Sequence, residues 1–183
     1  AGQWTSWRPT HMIGTRVSGK TLGIIGMGRI GRATARRAQH GLGMKVVFFN
    51  RSRVPAEALE GLDATQCDSI EDVLAQSDFV SLHCPSGDET RHLMNAARLA
   101  AMQPHAFLVN TARGDVVDEE ALVAALSRSQ IAGAGLDVYE HEPRVPAALL
   151  TMENVVLLPH LGSATLETRV GMGLMATDNL SAF

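Results

Sequence analysis

Short apolar runs alternate along this chain with stretches whose apolar residues recur every three or four positions. The runs TLGIIG (21–26), KVVFFN (45–50), DFVSLHC (78–84), AFLVNT (106–111), IAGAGLDVY (131–139) and NVVLLPH (154–160) lack the polar alternation of a half-solvated strand. They read as strands buried on both faces. Between them, residues 29–40, 69–76, 95–102, 118–129 and 165–180 carry the period of amphipathic helices. Strand and helix taking turns predicts a parallel sheet with helices on both faces, because parallel neighbours need a long crossover between them. The opening AGQWTSWRPTHMIGTRVSG stands outside this alternation. It reads as an arm or linker (1–18) ahead of one domain (19–165), with a terminal helix (166–183) after it. The arm holds both tryptophans, Trp4 and Trp7, with no period that would bury them locally. They are therefore expected to pack on a second subunit, which predicts a homodimer.

Composition narrows the function classes. With 183 residues, 45% hydrophobic content and a net charge of -3, the chain is long enough for one substantial core and carries no basic excess suited to nucleic acid. No apolar run approaches the roughly 20 residues needed to cross a bilayer. Small molecules or protein are the expected partners. Cys67 and Cys84 are too few for a disulfide framework, and no charged-then-apolar leader opens the chain, which points to a reducing cytoplasm. The start at Ala1 rather than Met suggests a piece of a longer protein. No metal site is expected.

The GMGRIG sequence places Gly26, Gly28 and Gly31, with Arg29 and Ile30 between them, after the first predicted strand and at the mouth of the first helix. That context makes a G-x-G-x-x-G match meaningful. Gly26 permits the tight turn, Gly28 lets a pyrophosphate approach the backbone, and Gly31 lets the helix lie close to the sheet. The open N–H groups of the helix start then hold phosphates. The fold expected is thus a Rossmann-type doubly wound α/β sheet that binds a dinucleotide. In such units the second strand ends in an acid that accepts hydrogen bonds from the adenosine ribose. Here Asn50 stands in that place, followed by Arg51, Ser52 and Arg53. Neutral Asn50 does not repel a 2′-phosphate, and the residues after it can bind one. The stretch predicts NADP(H) in preference to NAD(H), although Arg51 and Arg53 also fit a merely solvated loop.

The blocks FLVNTARGDVVDEEAL (107–122), GAGLDVYEHEP (133–143) and LLPHLGSAT (157–165), with VSLHCP (80–85) and ETRHLMN (89–95), closely resemble the signatures of the D-2-hydroxyacid dehydrogenase family over nearly the whole chain. The NRS ending of the second strand resembles its NADP-preferring glyoxylate/hydroxypyruvate reductase branch. The resemblance implies an oxidoreductase that moves a hydride between NAD(P)H and a small 2-oxoacid or D-2-hydroxyacid. It also implies a two-fold dimer and a second, substrate-binding domain that this chain does not contain. It assigns Arg113 to the carboxylate and carbonyl of the substrate, His160 to proton transfer, and Glu142 to a hydrogen bond that favours the protonated imidazole. By the same carry-over Cys84, Pro85, Thr90, Thr111, Ala112, Asp137 and Gly162 line the cofactor, with Asp137 near the nicotinamide.

Read singly, His160 fits a surface or core histidine, Arg113 a sheet-edge ion pair, Glu142 a loop acid beside His141, and Asp137 a strand-end residue satisfied by backbone donors. Their joint occurrence in one family's blocks favours the catalytic assignment. Asp115 adds a negative charge near the expected substrate mouth, and Cys84 has no neighbours that would make it a nucleophile. Two alternatives remain open. One is a phosphoglycerate dehydrogenase-like enzyme, which would more often carry an acid at position 50. The other is a non-catalytic, NAD(H)-sensing corepressor-type module.

Overall fold

The computed structural model describes residues 5–11 and 13–182. Seven parallel strands form one sheet in the order β3-β2-β1-β4-β5-β6-β7: β1 Thr21–Ile25, β2 Lys45–Phe49, β3 Ala64–Gln66, β4 Phe79–Leu82, β5 Phe107–Asn110, β6 Gly133–Leu136 and β7 Val155–Leu157. The helices are α1 Arg29–Arg36, α2 Ile70–Gln76, α3 Ala96–Ala101, α4 Glu119–Ser127 and α5 Leu166–Ser181. Side chains two apart along a strand share a face, and the sheet sorts its apolar residues accordingly. Leu22, Ile24, Val46 and Phe48 pack with Ala35 and Ala38 on the α1 side. Ile25, Val47, Val80 and Leu108 pack with residues of α2, α3 and α4 on the other.

Helix starts are set by side chains that accept first-turn N–H groups. Ser69 and Asp72 form a reciprocal capping box on α2, and Asn95, Asp118 and Thr165 cap α3, α4 and α5. The expected helix over 29–40 is split, its last turn (Arg37–Gly41) widening into a π-helix.

Four expectations are corrected. Strand β3 has no counterpart among the expected strands, because its sequence ATQ is a three-residue edge with one small apolar residue and no apolar run. The strand expected over 131–139 stops at Leu136, beyond which the carboxylate of Asp137 holds loop backbone. Strand β7 is an edge with Val156 64% exposed, so it is not buried on both faces. Helix α5 buries none of its residues, since no described element of the chain covers it. In the arm, Trp7 is 77% exposed, while Trp4 lies outside the described residues. No described helix is long and apolar enough to cross a membrane.

Candidate active site

In this strand order the chain reverses direction across the sheet between β1 and β4, and a cleft opens there at the carboxyl ends of the strands. It encloses about 830 Å³ and is lined by Gly26, Gly28, Asn50, Arg51, Ser52, Cys84, Pro85, Glu89 and Thr90. Gly26 has φ +99°, and a Cβ there would come within 2.8 Å of the His83 carbonyl carbon. The loops after β1 and β4 therefore meet at a residue that cannot carry a side chain. Helix α1 begins beside them with no side-chain cap and no acid in its first turn. Its leading N–H groups are open to an anion, so the residues present fit the pyrophosphate of a dinucleotide. Gly31 is buried in that first turn, whereas Arg29 and Ile30 are exposed and do not line the cleft.

Asn50 does more than omit a charge. Its Oδ1 accepts the Met27 N–H at 3.1 Å and its Nδ2 donates to the Ser52 carbonyl at 3.0 Å, tying the glycine turn to the turn after β2. Arg51 donates from Nη1 to Oε2 of Glu89 at 2.6 Å across the cleft. Arg53 is exposed, does not line the cleft and makes no ion pair among the described residues. Thr90 donates its hydroxyl to the Pro85 carbonyl at 2.6 Å, closing the loop after β4. Burial pushes the Cys84 thiol up, and the charge of Asp115 acts in the same direction, so it is held as a thiol rather than a nucleophilic thiolate. Burial lowers the pKa of His83, whose Nε2 lies 2.9 Å from the Ser81 hydroxyl.

Arg113, Glu142 and His160 lie farther along the same edge, after β5, β6 and β7. Buried Asn110 sets the first of these loops: its Nδ2 donates to the Arg113 carbonyl at 2.9 Å and its Oδ1 accepts the Ala112 N–H at 3.1 Å. Gly114 then lies directly against the backbone of Tyr139 and Glu140, where any Cβ would collide. The Arg113 loop is thereby seated on the Glu142 loop. Glu142 accepts the Tyr139 N–H at 3.1 Å on Oε1 and meets His160 Nδ1 at 2.8 Å on Oε2. The hydrogen bond from His160, followed by the Tyr139 N–H and the charges of His160 and Arg113, holds the Glu142 carboxyl below its usual range against a smaller upward push from burial.

His160 has φ +55°, a left-handed backbone that a non-glycine residue keeps only when its surroundings impose it. The restraint comes from both sides. Tyr139 donates its hydroxyl to the Leu158 carbonyl at 2.9 Å, and Asp137 accepts the N–H groups of Leu161 (2.6 Å) and Gly162 (2.9 Å). Asp137 is buried, and both its oxygens are bonded to backbone, as the strand-end alternative describes. A pocket of about 300 Å³ lies beside His160, walled by Tyr139, Glu142, Leu150, Leu158 and Pro159. Thr111 is exposed and Ala112 half-buried at the end of β5, and neither they nor Gly162 line the β1–β4 cleft.

The sequence reading missed Asn110, Tyr139, Gly114 and Ser86. Ser86 donates its hydroxyl to Asp115 Oδ2 at 2.6 Å, so the charge of Asp115 is engaged with the loop after β4. Asn110 carried a usable signal, being a polar residue at the end of an apolar strand run. The other contacts join loops distant in sequence and had none.

A family model described as D-isomer specific 2-hydroxyacid dehydrogenase, NAD binding domain, matches residues 1–162. Glyoxylate reductase of Thermococcus litoralis is 48% identical over 187 residues, which cover 100% of this chain and 56% of the relative. Glyoxylate/hydroxypyruvate reductase B of Shigella boydii is 51% identical over 181 residues, 98% of this chain and 55% of the relative. The crystal structure of NADPH-dependent glyoxylate/hydroxypyruvate reductase from Sinorhizobium meliloti in complex with NADP and malonate superposes with a TM-score of 0.84 at 42% identity, covering 90% of this chain and 50% of that one. The chain thus spans about half the length of the curated relatives it matches.

Proposed function

The chain belongs to the D-isomer specific 2-hydroxyacid dehydrogenase family, whose NAD binding domain it matches over residues 1–162, and from this premise we propose that the whole protein is a glyoxylate or hydroxypyruvate reductase that prefers NADPH. The observation that carries the reading is the 2.8 Å bond between His160 Nδ1 and Glu142 Oε2 at the carboxyl edge of the sheet. An ionised carboxylate can only accept, so Nδ1 is the donor in this pair, and Nε2 is the nitrogen left to face a substrate. The reduced nicotinamide, when bound, supplies a hydride to the carbonyl carbon of the 2-oxoacid. His160 gives its Nε2 proton to the carbonyl oxygen in the same event, yielding the 2-hydroxyacid, and takes it back in the reverse direction. Glu142 fixes the ring orientation throughout. Arg113, bonded within its own loop through Nη1, keeps further guanidinium donors for the substrate carboxylate.

Gly26, Gly28 and the α1 N-terminus hold the pyrophosphate, and Asn50, Arg51 and Ser52 form the adenosine end of the site. No acid at the end of β2 opposes a 2′-phosphate, and the Sinorhizobium meliloti relative was crystallised with NADP. The exposed Trp7 supports a homodimer built through the arm. Following NADPH absorbance of the full-length protein with glyoxylate and hydroxypyruvate tests the reading. His160→Gln is expected to lower kcat by roughly 10²-fold or more, and a variant with unimpaired turnover would overturn the assignment.

A further inference from the structure

The adenosine end of the cleft contains a contact that cofactor binding has to contend with. Arg51 follows β2 on one rim, and Glu89 sits on the opposite rim in the loop between β4 and α3. Their side chains meet at 2.6 Å while remaining 86% and 75% exposed. The backbone beneath Glu89 is fixed, since the N–H groups of Thr90 and Arg91 both donate to the Gly87 carbonyl at 2.9 Å and the Thr90 hydroxyl bonds the Pro85 carbonyl. Only the side chain is free to leave. An ion pair this exposed is weak and exchanges partners readily.

We propose that Glu89 is a specificity-determining residue that competes with the cofactor 2′-phosphate for Arg51 and so lowers affinity for NADPH selectively. The inference rests on the reading that Arg51 receives that phosphate. Before the phosphate can bond the guanidinium, the carboxylate must be displaced, and it then stands close to a second anion. A ribose bearing only hydroxyls demands neither change, so NADH binds with the Arg51–Glu89 pair intact. Glu89 thereby narrows a preference that Asn50, Arg51 and Ser52 would otherwise make wider. The phosphate still prevails, because its charge-assisted bonds to Arg51 are stronger than one solvated ion pair.

Dissociation constants of NADPH and NADH, measured by calorimetry on wild type, Glu89→Gln, Arg51→Gln and the double variant, test this directly. Glu89→Gln is expected to tighten NADPH about threefold, within the range open to an exposed pair, and to leave NADH unchanged. The gain should shrink as salt is raised and be clearly smaller in the Arg51→Gln background. Arg51→Gln weakening NADPH while Glu89→Gln leaves the NADPH-to-NADH ratio unaltered would sink the competition and keep the phosphate site. Should Arg51→Gln leave NADPH affinity intact, the phosphate site and the competition both fall. A gain that persists undiminished without Arg51 would mean that Glu89 acts on the phosphate alone, which also overturns the proposal.

Discussion

Asp137 Oδ1 accepts the backbone N–H of Leu161 at 2.6 Å, linking the buried end of β6 to the residue that follows His160. With the second bond, from Gly162 to Oδ2 at 2.9 Å, the carboxylate holds the loop whose first residue takes φ +55°. The side chain proposed to transfer a proton is thus oriented by a residue that need not touch the substrate. Replacing Asp137 with Asn would place an amide NH₂ against one of two N–H groups. Since leaving a buried donor unsatisfied costs about 1–3 kcal/mol, Asp137→Asn is expected to lower unfolding free energy by that amount in denaturant titration. Leu161 and Gly162 amides should also lose protection in hydrogen exchange. An unchanged midpoint and unchanged protection would refute the restraint.

Glu142 makes the pH dependence of the same loop predictable. Its folded-state pKa is depressed, chiefly by the hydrogen bond from His160. Its stabilising contribution is therefore present above the ordinary Glu value near 4.3 and is lost as pH falls through the lower folded value. Side-chain exposures of 36% and 49% for Glu142 and His160 leave the pair open to solvent screening, so the contribution is at most about 1 kcal/mol. Wild type is expected to exceed Glu142→Gln in unfolding free energy at neutral pH, and the two should converge as pH falls through the depressed folded value of Glu142. Chemical denaturation across pH checks this, and a gap that widens in acid would contradict it.

What the sequence reveals follows from the range of the forces involved. The β1-turn-α1 unit was legible because its strand pattern, Gly26 and the helix period are all local. The caps Ser69, Asp118 and Thr165 act within three residues of the N–H groups they receive. Strand β3 was illegible because three residues at an edge, only Ala64 of them apolar, take their conformation from pairing with β2 rather than from their own pattern. The site divides in the same way. Its strand-end positions could be read from the apolar runs. The bonds from Asp137 to residues 24 and 25 positions away, and from Arg51 to a residue 38 away, depend on how loops meet in space. That is also why Arg53, equivalent to Arg51 on paper, lies outside the cleft lining.

The end of β2 should govern cofactor choice. Asn50→Asp combined with Arg51→Ile restores an acceptor for ribose hydroxyls and removes the cation facing a 2′-phosphate. The Asp would lose the Nδ2 bond to the Ser52 carbonyl but keep an oxygen for the Met27 N–H. Charge-assisted hydrogen bonds contribute about 1.5–3 kcal/mol, so NADPH affinity is expected to fall at least tenfold while NADH affinity rises. Fluorescence titration with both cofactors measures the reversal. Equal affinities in wild type would remove the basis for the preference.

The last expectation concerns the 183-residue chain on its own. It contains the glycine turn, the turn after β2 and the loops of Arg113, Glu142 and His160, so the chain by itself should bind NADPH. His160, however, has a side chain 49% exposed, beside a pocket open to solvent. Water there competes for the proton of His160 and for the donors of Arg113, and no described element presses a 2-oxoacid against them. Orientation and water exclusion commonly supply several kcal/mol of an enzyme's barrier reduction. A deficit of about 4 kcal/mol corresponds to roughly a thousandfold in rate. The chain alone is therefore expected to reduce glyoxylate or hydroxypyruvate about a thousandfold more slowly than the full-length protein, while NADPH affinity stays within about tenfold. Absorbance assays at matched enzyme and NADPH concentrations decide it. Turnover within tenfold of the full-length rate would show that this half of the cleft orients its substrate unaided.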